Sequence, residues 1–356
     1  MRKSQPGRAA RQNDQDAGPR ERTGATRPRM VDVARVAGVS TATVSRALRE
    51  PEAVSPRMRE RIDAAVERLS YRRNLMAGGL ASARSMTIGV VIPSMINAFF
   101  SNTLDGMEAG LAGSGYQLLI GNSRYGLETE EQLVASLLAW SPAAIVVTGC
   151  RHSRETMRML LDANIPVIEM WELSDRPIDT VVGFSQRAAG AAAARHLIER
   201  GATRLGFIGA LLSSDYRAGD RRAGFMAAAA ESGFAPPAEV SMPDQATAVG
   251  GARALSQLMD AHPDVDAVLC SNDVMALGAI FEAHRRGWQV PRRLKLCGCG
   301  DIDFAAATEP ALTTIRPPRR AIGVKIAEVL RARLAGAEPT ETVFDLGFEL
   351  VVRGST

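Results

Sequence analysis

From residue 87 to residue 298 the chain alternates apolar runs of strand length with amphipathic stretches of helix length, in two successive series. The first series places strands at 87–92, 116–120, 143–148, 167–170 and 181–184, with helices near 99–112, 129–139 and 154–163. The second places helix 188–200, strand 204–208, helices 220–232 and 248–262, strand 267–270, helix 273–286 and strand 294–298. Runs such as Ile88-Gly89-Val90-Val91-Ile92 lack polar alternation, which suits strands covered on both faces of a parallel sheet. Two such series predict an α/β core of two doubly wound parallel-sheet subdomains separated by a cleft. Ligands of these sheets sit beyond the carboxyl ends of the strands. A chain of 356 residues, 46% of them hydrophobic, supplies both subdomains and leaves material for a smaller unit.

That smaller unit reads as an all-α head over residues 30–72. Val31, Val33, Ala34 and Ala37 form one apolar helical face, and Gly38 stops the helix. Ser40 stands at the N-cap of a second helix, Pro51 ends it, and Ser55-Pro56 opens a third bearing Met58, Ile62, Ala65, Val66 and Leu69. A short Gly-containing turn between the first two helices describes a helix-turn-helix. The second helix presents Thr41, Thr43, Ser45 and Arg46 where a buried helix would present Leu or Val. Small polar side chains approach base edges and phosphates without steric conflict, and arginine pairs bidentately with guanine. An ordinary helical hairpin is the alternative reading. Charge favours DNA: residues 1–85 hold 18 Lys and Arg against 9 Asp and Glu, whereas the rest holds 25 against 30. Residues 1–29 are basic, have little to bury and read as a disordered tail, so Met1 and Met30 are both candidate starts.

Other classes find little support. No apolar run approaches the ~18 residues of a membrane span. The N-terminus lacks the apolar region of a secretory signal. Four cysteines (Cys150, Cys270, Cys297 and Cys299) suggest free thiols in a reducing, cytoplasmic compartment. Cys297-Gly298-Cys299 has no further Cys or spaced His to complete a zinc site, and His152, His196, His262 and His284 read as scattered surface residues. No phosphate loop, no G-x-G-x-x-G after the first strand and no nucleophile–base pattern is present, so neither cofactor, metal nor enzymatic activity is expected.

The run Asp32-Val33-Ala34-Arg35-Val36-Ala37-Gly38-Val39-Ser40-Thr41-Ala42-Thr43-Val44-Ser45-Arg46-Ala47-Leu48 resembles the DNA-binding head of the LacI/GalR repressor family. The resemblance continues through Val54-Ser55, Leu69-Ser70-Tyr71 and residues 74–81, and resumes in the core at 271–278 and 312–315. It implies a ligand-responsive, sequence-specific transcriptional regulator, most often a repressor, with a periplasmic-binding-protein-like core. It further implies that Thr41, Ala42 and Arg46 read the major groove while Ser40, Thr43 and Ser45 lie at or near phosphates. The family's hinge helix, here about 74–81, would set Asn74 and Ala77 beside the minor groove and wedge Leu80 between base steps. Gly78 and Gly79 each disfavour helix by about 1 kcal/mol, so this hinge is expected to be helical only when docked. Two departures stand out: Arg73 where the family often has Pro, and Arg29 where many relatives have an N-capping Thr. The resulting organisation is a tail at 1–29, the head at 30–72, hinge and linker at 73–85, and the core at 86–356. The core divides into an N-subdomain of about 86–183 and 315–337 and a C-subdomain of about 184–314 and 338–356.

In the cleft, Arg221 within Asp220-Arg221-Arg222-Ala223-Gly224-Phe225 matches the family's ligand-binding arginine. Asn272 and Asp273 follow a strand and open a helix, which suits ligand contact or simple capping. Asn97 and Phe99, with Phe100, follow the first core strand where relatives place contacts; Phe99 reads equally as core. Trp171 and Phe184 end strands and suit either stacking on a sugar face or packing. Gly300 stands where many relatives carry a ligand-binding Asp, so the usual hydroxyl contact is not expected from it; Asp301 beside it is a further candidate contact. Residues 169–173, 182–185 and 300–301 are similar to the gluconate-operon repressor branch, so the expected effector is a sugar acid such as gluconate, its carboxylate on Arg221. Two heads addressing two half-sites imply a homodimer on an approximately palindromic operator. The apolar stretch 344–352 reads as one final strand, with no heptad tail after it.

Overall fold

The computed structural model of the protein describes residues 28–71, 85–95 and 99–356. The basic tail up to residue 27, the hinge residues Asn74, Ala77 and Leu80, and the cleft candidate Asn97 lie outside the described residues. The chain divides into two compact units, Met1–Ala83 and Arg84–Thr356.

The first unit holds α1 (Met30–Ala37), α2 (Thr41–Arg49) and α3 (Pro56–Arg68), as the periodicity predicts. Its small core consists of Val33, Ala34, Ala37, Val44, Ala47, Ile62, Ala65 and Tyr71. Gly38 takes φ +64 at the end of α1, a conformation that favours glycine. From α3, Arg61 donates to the Ala37 carbonyl at 2.5 Å, which ties the turn to the third helix. The missing N-cap at Arg29 is offset from the other side: Asp32 accepts the Arg29 N–H at 2.9 Å. That backbone N–H, with Arg35, holds the Asp32 carboxyl below its usual range.

The second unit contains two six-stranded sheets. The first sheet runs β11-β5-β4-β3-β1-β2. Its strands are β1 (Thr87–Ile92), β2 (Gln117–Asn122), β3 (Ala144–Thr148), β4 (Val167–Met170), β5 (Thr180–Gly183) and β11 (Val343–Asp345), paired in parallel throughout. The second sheet runs β12-β10-β9-β8-β6-β7. It comprises β6 (Leu205–Ala210), β7 (Ala238–Met242), β8 (Ala267–Cys270), β9 (Lys295–Cys299), β10 (Thr313–Arg316) and β12 (Glu349–Val351), and only β12 is antiparallel to its neighbour. Helices α4 (Ser101–Leu111), α5 (Leu127–Ala139), α6 (Arg154–Asp162) and α11 (Arg319–Leu334) belong to the first sheet. Helices α7 (Gln186–Glu199), α8 (Tyr216–Glu231), α9 (Ala248–Ala261) and α10 (Asp273–Arg285) belong to the second.

Three expectations change. Residues 238–242 form an edge strand, which was not anticipated because its burial alternates rather than running continuously. The stretch 344–352 is two strands in different sheets, with Gly347 at φ +65 between them. The subdomain boundaries therefore move: 315 and 316 belong to the C-subdomain strand β10, and 343–345 belong to the N-subdomain sheet. The chain thus passes between subdomains three times, near 184, 317 and 346. Among the described residues no helix is long and apolar enough to cross a membrane.

Reciprocal glycines bring three helix pairs together. A Cβ on Gly190 of α7 would lie 1.8 Å from the Arg221 carbonyl oxygen of α8, and one on Gly224 of α8 would lie 1.9 Å from the Arg187 carbonyl oxygen of α7. Gly106 and Gly323 serve α4 and α11 in the same way, as do Gly251 and Gly278 for α9 and α10. Backbone thus meets backbone, and the position of Arg221 is set by a contact that admits no side chain. Gly190→Ala is expected to destabilise the protein by about 1–3 kcal/mol and to lower the melting temperature by several degrees. Gly219→Ala on the partner helix α8, whose added methyl meets only the Leu212 carbonyl oxygen at 3.5 Å, is expected to be neutral or stabilising. Equal melting temperatures for Gly190→Ala and wild type would contradict the contact.

Candidate DNA-reading helix and effector pocket

In the head, Val44 and Ala47 are the buried residues of α2, so the opposite face is open to a partner. Thr41, Ala42 and Arg46 are exposed; Thr43 and Ser45 are half-buried. Ser40 caps the helix by accepting the Thr43 N–H at 3.1 Å, and its hydroxyl meets the Thr43 hydroxyl at 2.8 Å. Ser40 therefore has a structural role besides any phosphate contact. The face offers a hydroxyl, a methyl and a guanidinium within two helical turns, a set that suits base edges in a major groove.

In the core, one pocket lies just past the carboxyl ends of strands from both sheets. From the N-subdomain come Ser94 after β1, Phe99 and Phe100 before α4, Tyr125 after β2 and Trp171 after β4. From the C-subdomain come Asp215, Arg217 and Arg221 at the start of α8, Gln245 and Ala246 after β7, and Asn272 and Asp273 after β8. Phe99 and Phe100 each stand 5.1 Å, ring centre to ring centre, from Trp171, forming an aromatic wall opposite the arginines.

The structure brings together five of the expected site residues: Phe99, Trp171, Arg221, Asn272 and Asp273. Phe184 stands one layer behind, its ring 6.2 Å from that of Trp171, and supports the wall rather than lining the pocket. Asp301 is not among the lining residues: Arg316 and Arg353 hold its carboxylate at 2.5 and 2.6 Å. Burial raises the Asp301 pKa, but these two arginines outweigh burial and hold it below the usual range. Asn272 caps α10, accepting the Met275 N–H at 3.0 Å.

Asp273 does not cap the helix. Its buried carboxylate accepts the Thr314 hydroxyl at 2.6 Å and the Ile302 N–H at 3.0 Å, and burial pushes its pKa up to about 6. Gly298 and Gly300 make room for these groups: Cβ atoms there would stand 2.2 Å from Asp273 Oδ1 and 2.6 Å from Phe99 Cε2 respectively. A side chain at 300 would meet the Phe99 ring, so the space where an acid could stand is taken by the aromatic wall.

Arg217 and Asp215 were not anticipated. The available signal was spacing, since Arg217 precedes Arg221 by one helical turn on the same face. Arg217 is buried between Asp215 at 3.2 Å and Glu172 of the N-subdomain at 3.6 Å. Arg221 differs sharply. It donates to the Gln186 side-chain oxygen and to the Ser271 carbonyl at 2.9 Å, its Nε is buried with no hydrogen-bond partner, and among the described residues no carboxylate pairs with it.

Two histidines read as surface residues are interior. His196 meets the Thr356 hydroxyl at 2.8 Å. His152, whose side chain is fully buried, stands 2.7 Å from Glu130 and 3.6 Å from Glu169. The adjoining Arg151 crosses to the C-subdomain and pairs with Asp220 at 2.8 Å.

A family model for the bacterial regulatory proteins of the lacI family matches residues 29–74, and one for periplasmic binding protein-like domains matches residues 194–356. The HTH-type transcriptional regulator GntR of Pseudomonas aeruginosa is 40% identical over 331 residues, covering 93% of this chain and 96% of its own. The chain belongs to the LacI family. It is a DNA-binding transcriptional regulator and not an enzyme. The crystal structure of the transcription regulator GntR from Chromobacterium violaceum is 40% identical, with a TM-score of 0.73 over 76% of this chain and 98% of that one. The lac repressor dimer bound to operator and the anti-inducer ONPF is 26% identical, with a TM-score of 0.80 over 93% of this chain and 99% of that one. LacI-family regulators bind operator DNA through the head and small-molecule effectors in the core.

The His152 site of this LacI-family core carries a pH signature. Burial alone would lower the His152 pKa, but the Glu130 hydrogen bond and the Glu169 carboxylate outweigh it and push the value up to about 9, against 6.5 when unperturbed. The folded state thus retains a proton that the unfolded chain releases. Its contribution to stability is full below pH 6.5 and lost as pH rises through 9. The melting-temperature difference between wild type and His152→Gln is expected to be largest near pH 6 and smallest above pH 9. A difference that grows with pH would contradict a charged His152.

Proposed function

We propose that this chain is a cytoplasmic, homodimeric repressor that grips an approximately palindromic operator and releases it when a sugar acid of the gluconate type fills the pocket. One observation carries the effector class: Arg221 is a buried cation whose partners are neutral and whose Nε faces no acceptor. Burying an unpaired charge is costly, and a ligand carboxylate removes that cost while making charge-assisted hydrogen bonds. The aromatic wall of Phe99 and Trp171 suits the C–H face of a sugar chain, and Asp273 suits its hydroxyls as an acceptor. Two further supports are the similarity of residues 169–173, 182–185 and 300–301 to the gluconate-operon branch and the two GntR regulators that the chain resembles.

For the operator, the reading assigns base contacts to Thr41, Ala42 and Arg46 and phosphate contacts to Ser40, Thr43 and Ser45. It assigns the minor-groove hinge contacts to Asn74, Ala77 and Leu80. Exposure of Thr41, Ala42 and Arg46 on one face of α2 supports the first set.

Three measurements test this function. Gluconate is expected to raise the melting temperature of the wild type, and Arg221→Ala is expected to weaken gluconate binding by roughly 100-fold, the scale of truncating one partner of a buried charge pair. Full affinity in Arg221→Ala would refute the assignment. On DNA, Arg46→Ala is expected to cost about 1–3 kcal/mol on the operator while leaving random duplex binding nearly unchanged. An equal loss on both would make Arg46 a phosphate contact instead.

A further inference from the structure

Two arginines one turn apart on α8 face the same pocket with opposite electrostatic surroundings. Arg217 lies between Asp215 and Glu172, so its charge is matched inside the protein. Among the described residues Arg221 meets only neutral acceptors, the Gln186 amide oxygen and the Ser271 carbonyl. Gln186 opens α7 where the chain has just crossed from the N-subdomain, and it is 4% exposed. Its amide is used at both ends. The oxygen accepts from Arg221 Nη1, and Nε2 donates to the Trp171 carbonyl at 2.7 Å.

We infer that Gln186 determines the charge class of the effector: an uncharged side chain at this position keeps the Arg221 charge available to a ligand anion. A glutamate differs by one atom group and would place a carboxylate on Arg221 Nη1, forming a buried internal ion pair. The ligand carboxylate would then meet an arginine already paired, and the cost of removing it from water would not be offset. The pocket would become one for neutral polyols. This inference rests on the sugar-acid reading above and adds to it the residue that makes the arginine an anion receptor rather than a structural cation like Arg217. Gln186 thus acts on specificity through Arg221, and it also orients the wall, since Trp171 takes φ +76 at the carbonyl that Gln186 holds.

The test uses the full-length protein at pH 8 and two probes of nearly identical shape, gluconate and its neutral amide gluconamide, with affinities measured by calorimetry. Wild type is expected to prefer gluconate by about 100-fold, the range of a buried charge pair. Gln186→Glu is expected to bring that preference to within about threefold of unity. Gln186→Met removes the amide without adding charge and is expected to weaken binding moderately while keeping at least about tenfold preference for gluconate. Should Gln186→Glu fail to fold, Gln186→Met decides alone. An undiminished gluconate preference in Gln186→Glu, or its loss in Gln186→Met, overturns the role of Gln186 and leaves the sugar-acid reading standing. A wild type with no preference between the two probes overturns the sugar-acid reading itself.

Discussion

A buried cation, Arg221, with no counter-ion among the described residues organises the effector-binding half of this protein. Desolvating a guanidinium costs several kcal/mol, and hydrogen bonds to a neutral amide and a carbonyl return about 1.5–3 kcal/mol each. The balance is close enough that an added anion decides it. The surrounding structure keeps Arg221 in this state. The glycine contacts between α7 and α8 set its backbone against Gly190, Gln186 and Ser271 hold its head, and the nearby acids among the described residues are occupied elsewhere. Asp215 and Glu172 attend Arg217, Asp220 attends Arg151, and Asp273 binds Thr314 and Ile302.

The same residues join ligand and subdomain geometry. Arg151 and Glu172 reach from the N-subdomain to α8, and Gln186 ties Arg221 to the Trp171 carbonyl on the N-subdomain side. Helix α8 is therefore held at three points by the opposite subdomain, beside the group that meets the ligand. A ligand that changes the partners of Arg221 acts on a helix already linked to both halves, which is the kind of differential contact that a population shift requires.

Much of this is legible in the amino-acid sequence. The doubly wound core followed from apolar runs covered on both faces, and the helix-turn-helix followed from Gly38, Ser40 and the small polar face of α2. Trp171 and Phe99 are legible because strand ends in such sheets are where ligands bind, and Arg221 through its match to the family's ligand-binding arginine. What escaped had physical causes. An edge strand such as β7 has one wet side and loses the continuous apolar signal. The division of 343–351 between two sheets is a tertiary choice made at Gly347, invisible to local pattern. Asp301 looked free because its partners, Arg316 and Arg353, are distant in sequence. His152 looked like a surface residue because Glu130 and Glu169, which make its burial tolerable, lie on other elements. Gln186 carries no motif at all; only its place between Arg221 and Trp171 reveals a role.

The most direct check is a crystal structure of the protein with gluconate, in which the distance from the ligand carboxylate to Arg221 Nε is measured. The account predicts a carboxylate oxygen within about 3 Å, giving that orphaned donor its partner. A carboxylate turned toward Arg217, or an Arg221 Nε still unpartnered with the pocket filled, would contradict it.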